Sequence, residues 1–265
     1  MSADAEIPEA PVGAPRTVRL QGPASLGGAP VAYVVMMAAV IAVLSFIPFS
    51  VALAGGSSFP MSQGVYPLTG WLLGPWAGIV ASAMGALVGV FLAPHTAGIA
   101  WITIGGAGLG AGIAGCIVAG GRRLAGLAAS LAVAAACGLF YRHAVHDNGV
   151  RPALFVAAYA SHAVSVALFL LPTRRWIGRL IASPQLGRVW IGLFLGTWCA
   201  TGIMMFTESL VSYYLLNWPG QLFVVFVGII PFEQAARAAI GAVVGTGVIA
   251  GLRALSLIKP AGARY

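Results

Sequence analysis

Apolar stretches of helix-spanning length alternate with short polar, glycine- or proline-rich connections from Val31 to Ile258. A helix needs about 20 residues to cross a bilayer. The pattern predicts crossings at 31–54, 76–92, 98–119, 124–141, 152–171 and 189–210, and a last one within 221–258. Pro48 is expected to kink or end the first. Pro231 is expected to divide the final run, too long for one simple span, into a short outer piece and a long helix. The fold class read from this is all-α: a polytopic transmembrane helix bundle, about seven full spans plus one short broken helix.

That short helix lies at Tyr66-Pro67-Leu68-Thr69-Gly70-Trp71-Leu72-Leu73-Gly74-Pro75, where two prolines bound a piece too short to cross. No charged residue occurs between Arg19 and Arg122, so the region can sit in hydrocarbon without an ionic penalty. Inside a membrane, an interrupted helix is tolerated only where protein or a water-filled cavity satisfies the freed backbone groups. The expectation is therefore a solute chamber at the Pro67–Pro75 break.

Composition agrees with a membrane protein. Of 265 residues, 60% are hydrophobic and 8% charged, with a mean hydropathy of +0.95, whereas soluble domains carry about 25% charged residues. Residues 1–29 read as a disordered cytoplasmic tail, 30–258 as the bundle and 259–265 as a second cytoplasmic tail. Nearly all the length is committed to the bilayer, which leaves no room for an ATPase or another aqueous domain. The net charge of +8 is not a nucleic-acid signal, because the basic residues fall between apolar spans. They sort by side instead. With the N-terminus and C-terminus in the cytoplasm, Arg16, Arg19, Arg122, Arg123, Arg174, Arg175, Arg179, Arg188, Arg253, Lys259 and Arg264 lie inside, and only Arg142 and Arg151 outside. This places the chain as a multi-pass protein of the bacterial inner (plasma) cell membrane.

The chain is not expected to be an enzyme. It has no phosphate-binding loop, no His-Glu-x-x-His and no Ser–His–Asp arrangement, and beyond residue 9 its acidic residues are Asp147, Glu208 and Glu233. Cys116, Cys137 and Cys199 lie in apolar segments and read as small core residues. Repeated spacings such as Gly85-x-x-x-Gly89 and Gly241-x-x-x-Gly245 predict tight helix packing.

The polar residues left inside the spans are the candidate solute ligands. Glu233 and Arg237, four apart, share a helix face and can pair; the pair is either structural or, through Glu233, part of a cavity. Glu208 either reaches the headgroups or lines the same cavity. His162, flanked by Ser161 and Ser165, is either a packed histidine or a ligand. Gln63 lies in the polar loop 55–64. Trp71, Tyr213, Tyr214 and Trp218 are either interfacial anchors or stacking partners for an aromatic solute. His143, His146 and Asp147 form an outer-loop cluster that reads as a solvated loop rather than a metal site.

Three stretches carry a resemblance. Met36-Met37-Ala38-Ala39-Val40-Ile41-Ala42 contains an Ala-x-x-x-Ala step, Leu72-Leu73-Gly74-Pro75-Trp76-Ala77-Gly78 contains a Gly-Pro-x-x-Gly step, and the last helix begins at a proline and has a small-residue face. Together these resemble the S component, the substrate-binding membrane subunit, of energy-coupling factor vitamin transporters. The resemblance implies uptake of a small, vitamin-like solute bound beneath the loop at 55–65 against the C-terminal helices. It also implies that Ala38 and Ala42 dock onto a separate transmembrane coupling subunit driven by two ATPases. The chain has more helical elements than is usual in that family, the extra ones expected within 97–172. The nickel- and cobalt-specific branch uses a histidine next to the initiator methionine. This chain begins Met1-Ser2-Ala3-Asp4, so the expected solute is organic, and no metal or cofactor is called for. The competing readings are a membrane sensory or ligand-binding module, and a self-sufficient secondary transporter suggested by the paired breaks Pro67–Pro75 and Pro219–Pro231.

Overall fold

A computed structural model describes residues 24–51, 58–118, 123–255, 259–263 and 265. A tight hairpin, β1 (Ser25–Leu26) and β2 (Ala29–Pro30), leads into α1 (Val31–Leu44). A second hairpin, β3 (Pro48–Val51) and β4 (Ser58–Pro60), and a 3-10 turn (Met61–Gly64) lead to α2 (Tyr66–Leu73). Then follow α3 (Pro75–Leu92), α4 (Ala100–Val118), α5 (Arg123–Arg142) and α6 (Pro152–Leu170). The chain ends with α7 (Thr173–Ile181), α8 (Leu186–Leu216) and α9 (Leu222–Ala254). Five of these, α3, α4, α6, α8 and α9, are long and apolar enough to cross a membrane. The chain is an all-α bundle of a multi-pass membrane protein.

Three boundaries differ from the sequence expectation. The first crossing, expected over 31–54, ends as a helix at Leu44. Pro48 disfavours helix in the residue before it, the Ser45 hydroxyl donates back to Ile41 O at 2.9 Å, and the chain turns into β3; residues 52–54 lie outside the described set. The division at Pro231 does not occur, because α9 runs through it as one helix. Loss of the proline's donor costs about 3 kcal/mol in a helix interior. Packing along α8 holds the helix together, through Phe223 against Tyr213 on one side of the proline and Gln234, which donates to Trp198 O and Thr201 Oγ1, on the other. The third is at the N-terminal tail: residues 1–23 lie outside the described set, but 24–30 form the first hairpin. Near the other end of the chain, Gly262 packs on Gly74.

The broken segment is present as read. Gly74, at φ +86, joins α2 to α3 in a conformation that suits glycine, and Pro75 starts α3 where a missing N–H costs nothing. All eight residues of α2 are buried, as expected of a helix apolar on every side. Its neighbours approach at backbone distance: a Cβ on Gly70 would stand 2.1 Å from Ala111 O of α4. Trp71 is fully buried in this core with Leu68, Leu72, Ile177 and Leu193.

Connections gather at two opposite ends. At one, Thr96 Oγ1 donates to Ser45 O at 2.7 Å, and Asn148 Nδ2 donates to the Tyr213 hydroxyl at 3.0 Å. These contacts join the 94–99 turn to the end of α1 and the 143–151 segment to the end of α8. At the other, Arg253 Nη1 donates to Pro184 O at 3.5 Å, and Gly28 packs on Ala261. Helix α7 lies there, with Ile177 and Ile181 buried and Arg175, Trp176 and Arg179 exposed.

The Ala38-x-x-x-Ala42 stripe faces inward. Both alanines are buried, and a Cβ on Gly85 of α3 would stand 2.6 Å from Ala38 O. Small residues here let α1 and α3 approach, so the stripe that the resemblance assigns to a partner subunit is covered by the chain itself.

Candidate functional site

The 3-10 turn places Gln63 inside the bundle. Gly64 makes this possible, since a Cβ there would meet Arg237 O at 2.9 Å. Gln63 Oε1 then accepts from Arg237 Nε at 2.9 Å, and Arg237 Nη2 donates to Glu233 Oε2 at 3.1 Å. The hairpin adds an aromatic ring from each strand: the guanidinium carbon lies 5.5 Å from the Phe49 ring and 5.0 Å from the Phe59 ring. Hydrogen bonds, an ion pair and ring faces together hold a charge that is 1% exposed.

Phe59, Gln63, Glu233 and Arg237 border a cavity of about 400 Å³ at the hairpin end of the bundle, within the range of small-molecule sites. Helix α8 contributes Met205, Glu208, Ser209, Ser212 and Leu216. Helix α9 contributes Phe226, Ile229, Ile230, Glu233 and Arg237. Both sets follow the spacing i, i+3, i+4, i+7, i+11, one face of an α-helix. Asn217, left-handed at φ 45, ends α8 and lets α9 return beside it. Helix α6 adds Tyr159 and His162, three apart, at the point where Tyr159 departs from helical geometry (φ −105, ψ 15). The 96–103 segment and β4 complete the wall.

The wall has distinct chemical regions. Tyr159, Phe226 and Trp218 form a continuous aromatic surface, with centroids 6.4 Å apart for the first two and 5.5 Å for the last two. His162 Nδ1 lies 3.3 Å from the Ser161 hydroxyl. Glu208 lies against α4 at a notch, where a Cβ on Gly106 would stand 1.6 Å from Glu208 Oε1.

No family model, curated protein or solved structure matches this chain. The site is therefore read from its own groups.

Of the candidate ligands, Gln63, His162, Glu208, Trp218 and Glu233 meet around this one cavity. Trp71 does not; it is sealed in the core against Gly196. Tyr214 does not either. It is half exposed and stacks on His143 at 3.9 Å, and His143 Nδ1 in turn lies 3.1 Å from Asp147 Oδ2. The expectation that the Pro67–Pro75 break marks a chamber is corrected too. The cavity is lined from Gln63, before α2 begins, and the break lets α2 plug the core. Phe59, Tyr159, Ser209, Ser212 and Phe226 also line the cavity and are not among the sequence candidates; the last three share a helix face with Glu208 or Glu233.

Proposed function

We propose that this chain is the solute-binding membrane subunit of an uptake system for a small, vitamin-like organic molecule, and that the cavity holds the solute. One observation carries the reading: His162, Glu208, Glu233 and Arg237, ionisable side chains on the long apolar helices α6, α8 and α9, converge on one partly open cavity. Ionisable residues within spans are costly and commonly mark a solute path, and a largely apolar pocket with a few convergent polar groups is the usual form of a small-molecule site. In this reading the chain crosses the cell membrane seven times with both termini in the cytoplasm, and the cavity end faces outward. The basic residues of the 173–188 segment and Arg253 then lie inside, as the charge rule favours. Energy comes from a separate coupling subunit with two ATPases, as the family resemblance implies. With Ala38 and Ala42 covered by α3, that subunit would meet another face of the bundle.

The test is mass spectrometry of small molecules that co-purify with the wild-type protein and with Ser212→Trp and Ile229→Trp, which fill the cavity from α8 and α9. The expected result is one compound near stoichiometric amount in the wild type and its loss from both folded variants. Identical extracts from all three proteins would refute the assignment of the cavity.

A further inference from the structure

The cavity wall is unbalanced in charge. Its described lining residues include one guanidinium, Arg237, and two carboxylates, Glu208 and Glu233. With imidazole uncharged at neutral pH, the ionised wall carries one excess negative charge. Glu233 is bound to Arg237 at 3.1 Å. Glu208 forms no hydrogen bond or ion pair with a described residue, although it lines the same space. Nor is it a side chain that has drifted into an opening, since its Oε1 fits the notch on α4 that a Cβ at Gly106 would fill. A carboxylate within a span is costly unless a cation or a proton joins it, and the guanidinium whose field reaches Glu208, Arg237, is already bound to Glu233 and Gln63.

The groups near Glu208 along its helix suit a cation as well. Ser209 and Ser212 follow it on the cavity face of α8 and can accept N–H groups. The aromatic surface of Tyr159, Phe226 and Trp218 presents ring faces and edges, and ring faces attract organic cations. Aliphatic Ile229 and Ile230 offer room for an uncharged body.

We propose that the solute is an amphipathic organic cation: a primary or methylated ammonium on an aromatic or branched apolar body, with the ammonium against Glu208. This rests on the reading of the cavity as a solute site and adds the charge of its occupant.

The experiment measures thermal unfolding of the full-length protein in mild detergent against four probes of matched shape. These are 2-phenylethylammonium, its N,N,N-trimethyl form, neutral 2-phenylethanol and anionic 3-phenylpropanoate. Either ammonium should raise the Tm with half-saturation about tenfold or more below that of the alcohol and the carboxylate, a preference of roughly one ionic contact. Glu208→Gln, nearly equal in shape, should remove that preference while keeping the unliganded Tm at or above the wild-type value. Ile229→Trp should respond to none of the four. Equal half-saturation for ammonium and alcohol would overturn the proposal, and so would an ammonium preference that survives Glu208→Gln. In both cases the solute site would stand: the first outcome removes the charge of the solute, the second removes Glu208 as the partner of the ammonium. Absence of any shift, together with wild-type protein that carries no small molecule, would overturn both.

Discussion

A guanidinium inside an apolar helix has lost its water and must recover the interactions from protein groups. Around Arg237 these are Glu233, Gln63 and the rings of Phe49 and Phe59, drawn from a helix, a turn and a hairpin. Glu233→Gln leaves the charge buried without its ion-pair partner and should lower stability by about 3–5 kcal/mol, measured by SDS-driven unfolding in mixed micelles. Arg237→Gln should cost a similar amount, and the double variant should cost clearly less than the sum, since contacting residues couple. Strict additivity would mean that the two do not act as a pair. Rare polar residues in apolar runs were the legible part of the site: His162, Glu208 and Glu233 stand out because burial there needs a reason, whereas Gln63 comes from a polar loop whose inward turn depends on Gly64. The aromatics were not legible in this way. Trp71 and Trp218 both sit near glycine and proline in similar apolar surroundings, and nothing local tells that one fills the core and the other faces the cavity.

Among the elements, α2 places a short buried helix where its neighbours come within backbone contact. Gly70→Ala puts a methyl 2.1 Å from Ala111 O, with no flexible side chain to yield; overpacking of this kind costs about 1–3 kcal/mol or more. Gly247→Ala on α9 meets nothing within 4 Å and should be neutral or gain up to about 1 kcal/mol of helix propensity. Thermal melts of the two variants in one detergent provide the comparison, and equal Tm values would remove the argument for a tightly held plug. Both glycines look alike in the chain, as do the spacings Gly85-x-x-x-Gly89, which packs on α1, and Gly247-x-x-x-Gly251, which meets open space. Small-residue spacing shows that close approach is possible; which helix approaches depends on the assembled bundle. The same holds for prolines. Pro67 and Pro75 accompany a real break because Gly74 supplies the turn, whereas Pro231 lies in a continuous helix because α8 supports both sides.

Taken whole, the molecule gathers its loops at two ends, and the alternation read from charge alone agrees with that arrangement: Arg142 and Arg151 flank the segment near the cavity, and Arg174 to Arg188 lie at the far end. In a cysteine-free background, Asn148→Cys should react with a membrane-impermeant maleimide added to intact cells, and Gln185→Cys only after lysis. The opposite pattern would invert the proposed orientation. Unequal helix length has a further consequence. At 1.5 Å per residue the 31 residues of α8 and the 33 of α9 extend about 46 and 50 Å, against about 21 Å for the 14 residues of α1. No single lipid thickness matches all three, so tilt, local thinning or headgroup penetration must absorb the mismatch. In the proposed placement that mismatch falls between α1, which runs into β3, and the α8–α9 pair, and β4, α8 and α9 all line the cavity, so solute binding is expected to vary with acyl-chain length.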